Sequence, residues 1–269
     1  MSNVLRQPFA ALIQHRSLVM QLARREVLGR YRGATFGMLW SLISPILMLM
    51  IYTLAFGYIL KSRWPGSSGS TEDFVLILFC GLILHSFFAE CLTTAPRLII
   101  ANSNYVKKVV FPLDALVWSM VFSALFHLVM NIVVLLVLKL VLHGSVPWTV
   151  LFLPLVILPL LVLAAGVSLL VSAIGVYVRD VGQFVGVLAT AMLFLSSAIV
   201  PVESIPEEYK WVFMSNPLTP VINQAREVVI WGRVPDWGSL GLQMLLYLAF
   251  LVFGSLTFNK MRRGFADVL

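Results

Sequence analysis

The chain has 269 residues, of which 60% are hydrophobic and only 12% are charged. A soluble domain typically carries about a quarter charged residues, so this composition excludes a water-soluble protein and predicts an all-α membrane protein whose excess apolar surface faces lipid. The net charge of +7 does not indicate nucleic-acid binding, because the Lys and Arg residues lie between the apolar runs and form no basic stripe on a soluble face.

Residues 1–35 precede the first long apolar run and are predicted to form a cytoplasmic N-terminus with one amphipathic helix over residues 12–28. Its apolar face carries Val19, Met20, Ala23 and Val27, and its polar face carries Gln14, Ser17, Gln21, Arg24 and Arg25. A helix with this pattern lies in the membrane interface. The pattern fits a membrane anchor alone and equally an anchor that also contacts a partner protein.

Six apolar stretches within residues 36–258 are each close to the roughly 20 residues that cross a hydrocarbon core of about 30 Å. We predict transmembrane helices at residues 36–60, 74–95, 113–142, 150–176, 184–200 and 240–258. The fifth stretch is the shortest, and Pro201 follows its end. Residues 259–269 form the predicted tail.

The positions of Lys and Arg predict the orientation of these six helices. Thirteen of these residues lie in the segments on the side of the two termini, and five lie in the segments on the opposite side. Because cytoplasmic loops are enriched in Lys and Arg, both termini are predicted to be cytoplasmic.

The segment between the fifth and sixth stretches is punctuated by prolines and tryptophans. Its marked residues are Pro201, Pro206, Trp211, Asn216, Pro217 and Trp231. Short apolar pieces between such residues predict a pair of short re-entrant helices that dip into the outer leaflet. A loop that rests on the extracytoplasmic surface fits the same pattern.

No motif in the sequence indicates catalysis. The chain has no G-x-x-x-x-G-K-[ST] loop for ATP, no G-x-S-x-G elbow and no H-E-x-x-H metal motif. The four histidines lack metal-ligand spacing. We therefore predict a chain that is not an enzyme and that binds no metal or cofactor itself.

Polar residues within the apolar stretches support more than one interpretation. Glu90 lies near the cytoplasmic end of the second stretch, either paired at the interface with Thr94 and Arg97 or facing a polar cavity. The third stretch carries a polar stripe with a spacing of four residues: Ser119, Ser123, His127 and Asn131. Such a stripe forms hydrogen bonds between helices or lines a pathway for a hydroxyl-rich substrate.

Gly182 and Gly186 form a G-x-x-x-G pattern at the start of the fifth stretch. This spacing allows two helices to approach closely. The pattern serves packing within one copy and homodimerisation equally well.

Several motifs in this order resemble the permeases of ABC type-2 exporters, and more narrowly those that export O-antigen, capsular polysaccharide or teichoic acid. The motifs are Arg24-Arg-Glu-Val-Leu-Gly-Arg-Tyr-Arg-Gly33, Gly37-Met-Leu-Trp40 with Pro45, Asn104-Tyr-Val-Lys-Lys-Val-Val-Phe-Pro112, Tyr177-Val-Arg-Asp180, Asn216-Pro217 and Phe265-Ala-Asp-Val-Leu269. The likeness extends over almost the whole chain.

This resemblance implies a homodimer in the bacterial cytoplasmic (inner) membrane, clasped by two separate ATPase subunits that bind the ATP and Mg²⁺. It implies a lipid-linked glycan as substrate and short gate helices within residues 201–231. The residues that it places against the ATPase are Arg24, Arg25, Glu26, Asn104, Tyr105, Lys107, Lys108, Arg179 and Asp180.

A glycan pathway requires aromatic faces for sugar rings and small polar groups for hydroxyls. The candidates are Tyr52, Phe56, Phe87, Phe88, Ser119, Ser123, His127 and Asn131, although aromatic residues in membrane proteins also simply pack or form interfacial belts. Arg30 and Arg32 are candidates for binding a diphosphate headgroup by charge-assisted hydrogen bonds. The cytoplasmic enrichment in arginine would equally place them there.

Two other functions are compatible with the sequence. One is an ABC type-2 permease for drugs or another lipid, which the absence of a large outer domain does not exclude. The other is a membrane-embedded acyl- or glycosyltransferase, for which Glu90, Arg97 and His85 provide a thin basis.

Overall fold

Apolar sequence in lipid must satisfy its own backbone hydrogen bonds, and this chain does so with helices. The structure is a computed structural model that describes residues 7–59, 63–67, 69–107 and 111–269. Within these ranges the chain is helical and contains no β-strand. The longer helices are α1 (Arg16–Arg30), α2 (Trp40–Tyr52), α3 (Thr71–Ala101), α4 (Asp114–His143), α5 (Leu153–Tyr177), α6 (Val181–Phe194), α7 (Glu207–Ser215), α8 (Leu218–Arg226) and α9 (Trp237–Met261).

Five helical segments of the described residues are long and apolar enough to cross a membrane. They are Gly37–Ile59, Thr71–Ala101, Asp114–His143, Trp148–Tyr177 and Trp237–Val268. These segments coincide with the first, second, third, fourth and sixth predicted stretches. The second extends beyond the predicted end at residue 95, because Pro96 removes only one backbone donor and the helix continues through it to Ala101.

The fifth predicted stretch differs from the structure. The prediction of a helix over residues 184–200 is wrong at its end, because α6 stops at Phe194 and has 14 residues. At 1.5 Å per residue α6 is about 21 Å long, less than the hydrocarbon core of about 30 Å. The chain turns at Leu195, where the side chains of Asn216 and Arg226 donate to the carbonyl groups around this turn. The count of six spans therefore stays a prediction.

Helix α3 lies at the centre of the bundle, where it contacts α4, α5, α6 and α8. Leu76, Ile77 and Leu78 are fully buried on consecutive positions, so α3 is surrounded on all sides near its N-terminal end. Helix α9 packs along α5, where Gly166 and Gly254 allow the two backbones to meet. A methyl group on Gly166 would lie 2.8 Å from the Cα atom of Leu251.

Helix α1 packs against α4 and corresponds to the amphipathic helix predicted over residues 12–28. Its buried face carries Val19, Leu22, Ala23 and Val27. The assignment of Met20 to the apolar face is wrong, since its side chain is exposed. Leu22 and Met20 lie on opposite flanks of the face centred on Ala23, and the bundle covers the Leu22 flank.

The two short helices α7 and α8 lie in the segment for which re-entrant helices were one interpretation. Helix α8 is inserted into the bundle, and Leu218, Val221 and Ile222 are completely buried against α3 and α5. Helix α7 exposes Tyr209 and Trp211. Because α8 is enclosed by the long helices, it does not rest on the surface as a loop.

Candidate functional site

A cavity of about 490 Å³ opens between the end of α1 and helices α2, α3, α4 and α6. Its polar lining is formed by Arg30, Tyr31, Ser41, Ser44, Tyr52, His85, Ser86, Glu90, His127 and Asn131. Its apolar lining includes Trp40, Met48, Phe79 and Leu82. A hydroxyl-rich or amphipathic molecule would find both hydrogen-bonding groups and apolar surface here.

Three charged or ionisable side chains meet at one end of this cavity. The Nη2 atom of Arg30 donates a hydrogen bond of 2.5 Å to Oε1 of Glu90. The Nδ1 atom of His127 lies 3.1 Å from Nη1 of Arg30 and 3.1 and 3.2 Å from the two Glu90 oxygens. Helices α1, α3 and α4 each supply one member of this Arg30–Glu90–His127 cluster.

The cluster explains how the apolar bundle accommodates a carboxylate. Glu90 faces the cavity, as the second interpretation of this residue proposed, and its side chain is 20% exposed. A carboxylate at such a depth requires charged or hydrogen-bonded partners. Arg30 supplies the charge, and it remains 45% exposed at its side chain.

A fourth ionisable group, Glu26, lies one turn before Arg30 on α1. Burial raises the pKa of the Glu26 carboxyl above its ordinary value of 4.5, and the positive charge of Arg30 opposes this shift. Glu26 and Ser119 also line a smaller cavity of about 140 Å³ between α1, α3 and α4. The polar region therefore continues from the main cavity toward the C-terminal end of α3 and the N-terminal end of α4.

The predicted pathway residues separate into two groups. Tyr52, His127 and Asn131 line the main cavity, and Phe56 stacks on Tyr52 with ring centroids 6.2 Å apart. The other four are buried within the bundle of one copy: Phe87, Phe88, Ser119 and Ser123. The Ser119 hydroxyl donates to the Leu116 carbonyl of its own helix.

Of the two predicted headgroup residues, only Arg30 lines the main cavity. Arg32 lines a separate groove on the exposed face of α1, together with Arg24 and Arg25. Arg30 therefore faces the main cavity, whereas Arg24, Arg25 and Arg32 face a different surface.

The predicted ATPase-contact residues lie on two surfaces. Arg25 on α1 donates a hydrogen bond of 3.2 Å to the Tyr105 hydroxyl in the short helix Ser103–Val106. Arg24, Asn104 and Lys107 are exposed beside this contact, whereas Glu26 is half-buried. Arg179 and Asp180 are exposed in the turn between α5 and α6. Lys108 lies outside the described residues.

Of the predicted outer-gate residues, Asn216 holds the turn after α6. Asn216 donates hydrogen bonds of 3.1 and 3.0 Å to the carbonyl groups of Met192 and Leu195. The carbonyl of Pro217 accepts from the Tyr247 hydroxyl of α9 at 2.7 Å. Trp231 and Pro201 are half-buried, whereas Pro206 and Trp211 are exposed.

Arg226 is a functional candidate that the sequence analysis missed. It is fully buried and donates to the carbonyl groups of Ile77, Ser197 and Ala198 at 3.0, 2.6 and 3.0 Å. Its guanidinium lies 4.2 Å from the ring centroid of Trp64. From the sequence we count this arginine only among the five Lys and Arg residues on the side opposite the termini. Its place within an apolar piece of the segment before Trp231 is the signal for a buried position.

One of the two glycines of the G-x-x-x-G pattern on α6 has no neighbouring side chain or backbone packed against it among the described residues. A methyl group on Gly182 would lie 3.8 Å from Nε of Arg97, but a methyl group on Gly186 would meet no described atom within 4 Å. The neighbouring Phe184 and Val187 are exposed. Among the described residues of one copy, Gly186 therefore makes no close contact with another helix.

Comparison with known proteins identifies relatives over nearly the full length. The profile of the family described as ABC-2 type transporter matches residues 17–230. An O-antigen export system permease protein RfbA of Klebsiella pneumoniae is 26% identical over 94% of this chain and 95% of its own length. The RfbA protein of Myxococcus xanthus is 27% identical, with 95% and 96% covered. The polysialic acid transport protein KpsM of Escherichia coli is 27% identical, with 88% and 90% covered.

Proposed function

Because the chain belongs to the ABC-2 type transporter family, we propose that it is the membrane-spanning permease subunit of an ATP-driven exporter. Its substrate is a lipid-linked polysaccharide of the O-antigen type, which it moves across the bacterial cytoplasmic membrane. The observation that carries the proposal is the full-length similarity to proteins named for O-antigen export and polysialic acid transport. The amphipathic cavity supports it, since sugars and lipids need both kinds of surface.

Two further features support an assembly of two copies with two ATPase subunits. Helix α6 leaves Gly186 and an apolar face open, which suits a second copy of the chain. The linked surface of α1 and the Ser103–Val106 helix exposes basic residues on the side predicted to be cytoplasmic. ATP is hydrolysed by the partner in this proposal, and this chain supplies the path.

In the proposed cycle, Arg30 receives the lipid headgroup, and the glycan passes between the copies. Helices α7 and α8 and the turn held by Asn216 close the outer mouth. The buried insertion of α8 supports a gate that belongs to the bundle instead of a surface loop.

Deletion of the chain in its native host tests the function. Surface polysaccharide should disappear, and lipid-linked glycan should accumulate on the cytoplasmic side. Expression of the intact chain should restore the surface polysaccharide and remove the accumulation. Unchanged surface polysaccharide without any internal accumulation would contradict the proposal. Surface labelling of intact cells and extraction of lipid-linked glycan give the two readouts.

A further inference from the structure

We propose that the Glu90 carboxylate occupies the Arg30 guanidinium in place of the substrate's phosphate. When a phosphate-bearing lipid headgroup binds Arg30, the headgroup displaces Glu90, and Glu90 is then bound by His127. The inference rests on the proposed function and concerns how the headgroup is received. It assigns Glu90 and His127 as residues that set the affinity of the site.

The first step of the argument is the occupation of Arg30. Its Nη2 atom is bound to Glu90 at 2.5 Å, so an incoming anion must compete with a carboxylate already in place. Arg30 nevertheless lines the cavity and is only about half covered, so an anion can reach it. Guanidinium groups bind carboxylate and phosphate oxygens with the same planar geometry, which makes the two anions interchangeable partners.

The second step is what happens to Glu90 after the exchange. A carboxylate left alone among apolar helices would raise the free energy of the loaded state. His127 prevents this because its Nδ1 atom already lies 3.1 and 3.2 Å from both carboxylate oxygens. With a hydrogen on Nδ1, His127 donates to Glu90 and keeps the carboxylate partnered.

The third step is that His127 can serve only one neighbour through Nδ1. That atom accepts from Nη1 of Arg30 when it carries no hydrogen, and donates to Glu90 when it does. The other ring nitrogen, Nε2, is buried and has no hydrogen-bond partner among the described residues. Moving the hydrogen between the two ring nitrogens therefore breaks no other hydrogen bond. The cluster has two arrangements: in one His127 accepts from Arg30, and in the other His127 donates to Glu90.

A double-mutant cycle with a lipid phosphate tests the exchange. The probe is farnesyl diphosphate, titrated into the purified chain in nanodiscs of zwitterionic lipid. Glu90→Gln should bind it about tenfold more tightly than the wild type, because the competing charge is gone and one charge-assisted hydrogen bond no longer has to break. Arg30→Gln should abolish the gain, and Arg233→Gln, an exposed arginine elsewhere, should bind as the wild type does.

His127→Gln provides the discriminating comparison. In the wild-type background it should weaken binding by about tenfold, because the displaced Glu90 loses its donor. In the Glu90→Gln background the same change should have no effect, since no carboxylate needs a donor. An equal loss in both backgrounds, or a Glu90→Gln affinity at or below that of the wild type, would overturn the exchange.

Two further arms identify the source of the phosphate and separate the two proposals. Farnesol should not bind at the site, and inorganic diphosphate should bind more weakly than farnesyl diphosphate; tighter inorganic binding would overturn a lipid headgroup as the ligand. The cycle measures binding alone, whereas the deletion experiment measures export. If the binding cycle fails but deletion of the chain abolishes export, only the exchange at Arg30 is overturned. If export is normal after deletion, the proposed function is overturned.

Discussion

At the scale of single residues, Arg226 shows how the turn at the end of the short helix α6 is stabilised within an apolar bundle. Its three donated hydrogen bonds reach α3 and the turn after α6, and Trp64 covers its guanidinium. Gly81 on α3 is part of the same contact, since a methyl group there would lie 2.6 Å from Nη2 of Arg226. Together they fasten α8 to α3 and to the turn after α6.

Replacing Arg226 with Leu should lower stability by about 2–5 kcal/mol. Each buried carbonyl left without a donor costs about 1–3 kcal/mol, and removal of a buried charge returns part of this. The midpoint of thermal unfolding of the purified protein in detergent measures the effect. Arg233→Leu, at an exposed position seven residues further along the chain, is the control and should leave the midpoint of unfolding unchanged. Equal midpoints for both variants would show that Arg226 does not hold the turn.

Glu26 predicts a dependence of stability on pH. Because burial raises its pKa above 4.5 in the folded protein, the folded state binds more protons than the unfolded state above that pH. The contribution of Glu26 to stability is therefore present below pH 4.5 and is lost as pH rises through the raised pKa. Glu26→Gln should unfold at a higher temperature than the wild type at pH 7, and the difference should vanish near pH 4. A difference that is constant with pH would contradict this assignment.

At the scale of helices, the glycines of α5 and α9 determine how closely the two can pack. Gly166 and Gly254 place backbone against backbone, so a side chain at either position separates the helices. Gly254→Val should therefore lower stability by about 1–3 kcal/mol through overpacking. Gly241→Val on the same helix meets open space and controls for the change in helix propensity. The comparison is made by thermal unfolding, and equal losses in both variants would refute the packing explanation.

The sequence located the long helices because hydropathy over about 20 residues is a local property. It did not locate the end of α6, since residues 195–200 are no more polar than the helix before them. The turn depends on Asn216 and Arg226, which lie far along the chain. Likewise, spacing alone identified the polar stripe with His127, but only the structure joins it to Arg30 and Glu90 across three helices.

At the scale of the whole molecule, the open face of α6 leads to a test of the proposed dimer. Gly186→Leu should leave one copy folded, because a Cβ atom added there meets no described atom within 4 Å and the neighbouring Phe184 and Val187 are exposed. It should reduce the dimer fraction of the purified protein, since the larger side chain separates two closely packed helices. Mass photometry in nanodiscs gives the proportion of dimer, with Gly241→Leu as the control. An unchanged proportion would exclude this face of α6 as the interface.

The shortness of α6 has a consequence for the work of translocation. In the proposed dimer, the part of the path that α6 borders is about 21 Å long, while the surrounding bilayer core is about 30 Å thick. Hydroxyl groups away from water carry an energetic penalty for as long as they remain unhydrated. Fewer sugar units occupy a shorter path at any moment, so the energetic penalty during translocation scales with the length of α6. This penalty does not increase with the length of the polymer, because one unit leaves the path for each unit that enters it.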